Sequence, residues 1–175
     1  MRAFLPLLLI ATVAAPATAA LPVGAPAPDF STQGALGGKT FRFSLSQALK
    51  KGPVVLFFFP AAFTSGCTIE AKAFADASDD FARAGASLVG VAADPIETLS
   101  RFSTEACRSK FPVAVASPRM IADYDVRLPL VPRSNRTSFV ISQDRRIAFV
   151  HAAMRPDGHV EGTLAAVRKL VSRTR

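Results

Sequence analysis

The sequence has few residues of the kinds that bind metals or exchange disulfides: it contains two cysteines and two histidines among 175 residues. Cys67 and Cys107 stand 40 residues apart, which excludes the Cys-x-x-Cys pair of a dithiol oxidoreductase. Ala71 stands four residues after Cys67, which excludes the Cys-x-x-x-Cys ligands of a copper-delivery protein. No metal-ligand spacing surrounds His151 or His159, and we therefore interpret both as structural or solvent-facing side chains.

Negative charge is also scarce, because 13 acidic residues face 21 basic ones and the formal net charge is +8. Such a balance can indicate binding to nucleic acid or to an anionic surface. However, the basic residues are spread along the chain, apart from a modest cluster at Arg168, Lys169, Arg173 and Arg175. The sequence contains no RNP-like aromatic motif, helix-turn-helix signature or basic tract. We therefore expect a solvated basic surface and no nucleic-acid partner.

The amount of hydrophobic sequence is that of one folded domain. Half of the residues are hydrophobic, 14 of them phenylalanines, and this excludes intrinsic disorder. The 13 prolines and 10 glycines follow no period, which excludes collagen-like sequence. A chain of this length can bury roughly 68–70% of its unfolded surface, so a core can form without disulfides.

The N-terminus has the pattern of a secretory signal peptide. Arg2 precedes an apolar stretch, Ala3–Ala15, and the small residues Ala17-Thr18-Ala19 follow. We expect cleavage after Ala19 or Ala20, with residues 1–19 as signal peptide and 20–175 as one domain. An uncleaved N-terminal anchor is the alternative. Since no later stretch is apolar for ~18 residues, we expect no stable membrane insertion and an exported protein, periplasmic or secreted.

Export would place both cysteines in an oxidising compartment, where disulfides persist. The simplest expectation is then one static disulfide between Cys67 and Cys107. A binding or structural protein with such a bridge is the alternative to an enzyme, and it would contain no free thiol.

The remaining sequence alternates between strand and helix patterns. Residues 20–39 are rich in proline and glycine and are predicted to form an irregular lead-in. Strands are predicted at 40–43, 54–59, 86–93, 111–116, 136–142 and 147–152. Helices are predicted at 44–49, from 64 or 65 to 84, at 95–106, 118–124 and 160–172. This order predicts one α/β domain with a mixed sheet, because alternating strands and helices give parallel pairs and the late hairpin is antiparallel.

Cys67 follows the apolar strand at the predicted start of a helix. Thr64 or Ser65 can cap that helix, and Gly85 is its expected stop signal. Unpaired amide hydrogens and the helix dipole stabilise an anion at such a position. A thiol there ionises more readily than a free cysteine, so Cys67 is a candidate nucleophile.

These residues carry a family resemblance. The segment PAAFTSGCTIEA resembles the peroxiredoxin active-site pattern Pro-x-x-x-Thr-x-x-Cys, and TSGCTIEA resembles the bacterioferritin-comigratory, or PrxQ-like, branch. Residues 25–30, 136–141 and 155–159 are similar to three further segments of that family. The resemblance covers nearly all of the chain after the signal peptide, and it implies a thioredoxin-like α/β fold with a central mixed sheet flanked by helices.

The resemblance also implies the roles of individual residues. Cys67 matches the peroxidatic cysteine, whose thiolate attacks a peroxide oxygen and becomes a sulfenic acid. Thr64 matches the threonine that hydrogen-bonds the peroxide, and Arg136 matches the arginine that stabilises the thiolate and the developing charge. Pro60 would shield the centre from water, with the amides near Gly66 completing the pocket. No metal or organic cofactor is implied.

The sequence says less about the second half of the reaction, in which the oxidised Cys67 is reduced. Many members of the branch place a resolving cysteine five residues after the peroxidatic one, but that position is Lys72. Cys107 is then the candidate resolving cysteine, with a static disulfide or a bystander role as alternatives. Glu70 is a surface or capping carboxylate, or it orients an arginine. The branch implies a monomer, and export implies a thioredoxin-like reductant that is itself exported.

Overall fold

The computed structural model describes residues 20–173, so the predicted signal peptide lies outside the described range. The elements follow the chain in this order: β1 (Ser31–Leu36), β2 (Lys39–Ser44), α1 (Leu45–Leu49), β3 (Val54–Phe58), α2 (Ser65–Asp76), α3 (Ser78–Arg83), β4 (Ser87–Ala92), α4 (Ile96–Glu105), β5 (Val113–Val115), α5 (Pro118–Asp123), β6 (Thr137–Ile141), β7 (Ile147–Ala152) and α6 (His159–Ser172). Between residues 20 and 173, no helix is both long enough and apolar enough to span a bilayer.

All the strands join one mixed sheet in the order β2-β1-β5-β4-β3-β6-β7. Strands β3, β4 and β5 run parallel, whereas the remaining pairs are antiparallel. This architecture confirms the predicted mixed sheet with flanking helices. Strand β3 is fully buried, because its alternate side chains enter a separate hydrophobic cluster on each face of the sheet. That double burial explains why its sequence is uniformly apolar rather than alternating.

The prediction of an irregular lead-in is wrong for Ser31–Leu36, which form strand β1. This segment is polar and has no apolar alternation, so its sequence does not favour a strand. It becomes one by pairing with β2 through a turn at Gly37 and Gly38, both at positive φ. Such a two-residue turn suits the twist of a hairpin.

The helix predicted from residue 64 or 65 to 84 is divided into α2 and α3, with Ala77 between them. The Ser78 hydroxyl donates to the Ala75 carbonyl oxygen at 2.8 Å, a local bond that competes with regular helix geometry. Asp79 and Asp80 then occupy the first turn of α3, where a negative charge is favourable. Gly85, at φ +78°, follows the second helix and confirms the predicted stop.

The ladder between β3 and β6 brings two distant parts of the sequence to one edge of the sheet. Phe58, the last residue of β3, lies opposite Thr137, the first residue of β6. The loop that follows β3 and the residue that precedes β6 therefore meet at this edge. Helix α2 begins at the same place.

Candidate active site

Cys67 occupies the first turn of α2, as the sequence predicts. Thr64 is the N-cap residue with extended backbone, and Phe63 turns the preceding loop at φ 64°. The Cys67 side chain is only 2% exposed, and the amide groups of this first turn have no partner inside the helix. Ile69, two residues further along the helix, is instead 58% exposed.

Arg136 directs a guanidinium nitrogen at this sulfur. Its Nη2 lies 3.4 Å from Cys67 Sγ, across 69 residues of sequence. Its Nε donates to the Met154 carbonyl oxygen at 3.0 Å, and its Nη1 pairs with the Glu70 carboxyl group. The side chain is 4% exposed. Three fixed contacts on one planar group leave it little freedom to turn away from the sulfur.

Gly66 permits the close approach between helix and guanidinium. A Cβ atom at this position would lie 3.0 Å from Arg136 Nη2, closer than real Cβ contacts ordinarily come. The absence of a side chain at residue 66 thus allows the arginine to reach the neighbouring cysteine.

Thr64 differs from its predicted capping role. It stands at the N-cap position, but its side chain makes no capping bond. Its hydroxyl instead donates to the Ala61 carbonyl oxygen at 3.0 Å. The exposed oxygen atom is therefore oriented with its proton toward the loop, and its lone pairs can accept a hydrogen bond from another molecule.

The loop that contains Pro60 is held by two residues that the sequence analysis did not identify. Arg133 Nη1 donates to the Pro60 carbonyl oxygen at 2.9 Å and to Asp94 Oδ1 at 3.3 Å. The other Asp94 oxygen accepts from the Ala62 amide at 3.0 Å. Asp94 is 7% exposed and lies two residues after the end of β4. An acidic residue just after a buried strand could have marked Asp94 in the sequence. Its partner Arg133, however, comes from a loop 39 residues away, and no local pattern indicates it.

Glu70 is fully buried against Arg136, which confirms that it orients the arginine and excludes a surface position. Burial raises the pKa of Glu70 from 4.5 to about 7, although the Arg136 charge and hydrogen bond oppose this shift. His159 is buried beside it, which excludes the solvent-facing position that was the other expectation. Desolvation lowers the pKa of His159 from 6.5 to about 4, so the imidazole is neutral at physiological pH.

Cys107 lies just beyond the end of α4 and is fully buried. Burial strongly raises the pKa of its thiol. Cys67 and Cys107 pack in the same hydrophobic cluster, and both are free thiols. The static Cys67–Cys107 disulfide of the alternative interpretation is therefore not formed.

The chain is similar to known proteins over most of its length. Residues 23–150 match the AhpC/TSA family. A relative from Mycobacterium tuberculosis that carries a peroxiredoxin name is 38% identical over 133 residues, covering 73% of this chain and 86% of that protein. The chloroplastic peroxiredoxin Q of Sedum lineare is 30% identical over 132 residues, covering 73% of this chain and 69% of its own length.

Solved structures agree with the sequence matches. The crystal structure of peroxidoxin BcpB from M. tuberculosis superposes with a TM-score of 0.74 at 36% identity, covering 85% of this chain and 97% of that one. M. tuberculosis AhpC, at 22% identity, has a TM-score of 0.76 over 88% of this chain and 95% of its own, which shows the shared fold. These superpositions confirm the predicted thioredoxin-like α/β fold.

Proposed function

Because the chain belongs to the AhpC/TSA family of peroxiredoxins and is a thiol-dependent peroxidase, we propose that Cys67 is its peroxidatic cysteine. The observation that supports this assignment most directly is the 3.4 Å separation between Arg136 Nη2 and Cys67 Sγ. A fixed cation at that distance favours the thiolate, which is the nucleophilic form of the side chain.

In the first half-reaction, the Cys67 thiolate attacks one oxygen of a hydroperoxide. An S–O bond forms while the O–O bond breaks, and the departing oxygen leaves with the electron pair and takes up a proton to become water or an alcohol. The sulfur is oxidised by two electrons to a sulfenic acid, and the peroxide is reduced. Arg136 stabilises negative charge both on the sulfur and on the departing oxygen, which is the part of the reaction that a fixed donor can accelerate.

Two neighbouring residues complete the proposed site. The Thr64 hydroxyl donates to Ala61, so its oxygen is available to accept the O–H of a bound hydroperoxide and to orient the O–O bond. Half-buried Pro60 would limit access of water to the sulfur. Its position is fixed because Arg133 holds its carbonyl oxygen.

The second half-reaction returns the sulfur to a thiol. Family members use thioredoxin-like reductants, and we propose Cys107 as the resolving residue. Its thiol would attack the sulfenic sulfur, form the disulfide and release water. Because both sulfurs are buried, the first turn of α2 must unwind before they meet.

Turnover with a thioredoxin and thioredoxin-reductase system tests both cysteine assignments. We expect Cys67→Ser to abolish peroxide consumption and Cys107→Ser to retain the first oxidation but lose turnover. Mass analysis under non-reducing conditions, before and after one equivalent of peroxide, should show the loss of two hydrogens. A Cys67→Ser variant with full activity would exclude the assignment.

We further propose that the protein is an exported monomer, periplasmic or secreted, with an exported thioredoxin-like donor. The support is the signal pattern in residues 1–19, together with the branch resemblance. Expression of the full chain followed by intact mass of the extracytoplasmic fraction should give a product that starts after Ala19 or Ala20. Retention of the uncleaved chain in the membrane would contradict export.

A further inference from the structure

A buried polar cluster adjoins Arg136 one turn of α2 beyond Cys67. Glu70 from α2 reaches Arg136 with Oε2, while its other oxygen, Oε1, lies 3.5 Å from Nδ1 of His159. Both Glu70 and His159 are fully buried. His151 from β7 is the other titratable group beside this imidazole, with the two rings packed edge to face at 4.5 Å.

The hydrogen bonds of His159 determine where its proton lies. Its Nε2 lies 3.0 Å from the Ala153 carbonyl oxygen, which can only accept, so Nε2 carries the hydrogen. In a neutral imidazole the other nitrogen is then an acceptor. Nδ1 therefore presents a lone pair to the Ser138 hydroxyl at 2.8 Å and to Glu70 Oε1.

This arrangement leaves Glu70 Oε1 without a hydrogen-bond donor among the described residues. A buried, ionised carboxylate oxygen that faces a nitrogen lone pair is unfavourable, because neither atom carries a proton. A proton on Oε1 makes this oxygen a donor and His159 Nδ1 its acceptor. A small movement of either side chain shortens their 3.5 Å separation to an ordinary hydrogen bond. The Ser138 hydroxyl, 2.8 Å from Nδ1, is the competing donor, and its O–H can rotate and so leave the lone pair of Nδ1 to Glu70.

We propose that Glu70 carries a proton on Oε1 and donates it to Nδ1 of His159, so that Arg136 keeps its positive charge for Cys67. Neutral Glu70 still accepts from Arg136 through Oε2, and it therefore orients the guanidinium without cancelling its charge. His159 is a positioning residue that acts through Glu70 and never touches the substrate. This inference rests on the proposed role of Arg136 in stabilising the thiolate.

The raised pKa of Glu70, about 7, supports the same assignment and gives the direction of a pH effect. Below that pH, Glu70 is neutral and the Arg136 charge acts on Cys67. Above it, the carboxylate competes with the thiolate for the same guanidinium. The rate constant of the thiolate with peroxide should then fall on the alkaline side of about pH 7 by about tenfold, the equivalent of one pKa unit of lost stabilisation.

Three variants test the proposal through the pH profile of peroxide reduction. Glu70→Gln imitates the neutral acid, with an oxygen for Arg136 and an N–H for His159, and should remove the alkaline fall. His159→Leu removes the acceptor and should shift the fall to lower pH by about one unit. The double variant should again lack the fall, since its residue 70 cannot ionise. His151→Phe is the matched control, because it removes a neighbouring imidazole but leaves the Glu70–His159 pair.

A measurement independent of activity locates the proton directly. In the reduced protein at pH 6, infrared spectroscopy should show a carboxylic-acid C=O band that Glu70→Gln removes. Nitrogen-15 NMR should show His159 neutral, with the hydrogen on Nε2. If the protein had no peroxidase activity but this band were present, the proposed function would be wrong, whereas the proton on Glu70 Oε1 would be confirmed.

Two results would overturn the inference. One is an ionised Glu70 at pH 6 in the infrared spectrum. The other is a Glu70→Gln variant whose rate constant with peroxide still falls above about pH 7, as in the wild type. A rate constant that is lower than the wild-type value by the same factor at every pH would count equally, because it would mean that Arg136 had lost a charged partner. If His159→Leu does not fold, the comparison between wild type and Glu70→Gln still decides.

Discussion

The guanidinium of Arg136 contacts Cys67, Glu70 and the Met154 carbonyl through three different nitrogens. A lysine cannot make these contacts together, because its ammonium is a single point on a flexible chain. We expect Arg136→Lys to lower kcat/KM for hydrogen peroxide by about 10²–10³-fold. Arg119→Lys on the exposed face of α5 is the control. Equal losses in both variants would contradict the directed role of Arg136.

Variants of Thr64 distinguish a role in capping α2 from a role in binding the substrate. Because its hydroxyl makes no capping bond, Thr64→Val should leave the free energy of unfolding almost unchanged while kcat/KM falls by about 10²-fold. Thr64→Ser keeps the oxygen and should retain most of the activity. Chemical denaturation and steady-state kinetics on both variants check this. A large loss of stability with intact kinetics would return Thr64 to a purely structural role.

At the scale of an element, the start of α2 is shaped by the site as much as by helix stability. Alanine is better than glycine in a helix by about 1 kcal/mol, so Gly66→Ala should not destabilise α2. Its Cβ would nevertheless press on Arg136 Nη2, which three contacts hold in place. Because the crowded guanidinium cannot move freely, we expect lower thermal stability despite the better helix residue, together with slower alkylation of Cys67 at pH 6. An unchanged alkylation rate would mean that Arg136 can move away from the new Cβ without affecting the reactivity of Cys67.

The elements differ in how far the sequence could predict them. The apolar run of β3 and the helix that begins near Cys67 are local patterns, and both were predicted. Strand β1 has no such pattern, since its pairing with β2 and β5 supplies the reason for its conformation. The Asp94–Arg133 pair joins residues from two loops, and no local property of either segment indicates it. Cys67 and Arg136 could be matched to a family pattern, whereas His159 beside Glu70 depends on the packing of α6.

At the scale of the whole molecule, the buried cluster couples stability to pH in two opposing directions. The folded-state pKa of Glu70 is raised to about 7, so its contribution to stability is lost as pH rises from 4.5 to about 7. The folded-state pKa of His159 is lowered to about 4, so its contribution is lost as pH falls from 6.5 to about 4. The two effects oppose each other over most of that range.

Glu70→Gln removes one of the two opposing effects. The unfolding free energy of the variant minus that of the wild type should therefore rise between pH 4.5 and 7, with a slope of at most about 1.4 kcal/mol per pH unit. Chemical denaturation of the reduced proteins at several pH values measures this difference, in which the other carboxylates cancel. A difference that is constant or falls with pH would show that Glu70 is already ionised at the lower pH.

The antiparallel register in which Phe58 faces Thr137 also limits how such a protein can be redesigned. Successive side chains of a strand alternate between the two faces of the sheet, so one extra residue inside β6 would send the guanidinium to the opposite side. The fold should tolerate inserted segments better in the surface loop that precedes β6, because added length there does not change the face of the sheet on which Arg136 lies. Any insertion within β6 should therefore separate the guanidinium from the sulfur, because an odd one reverses its face and a two-residue one moves it about 6–7 Å along the strand.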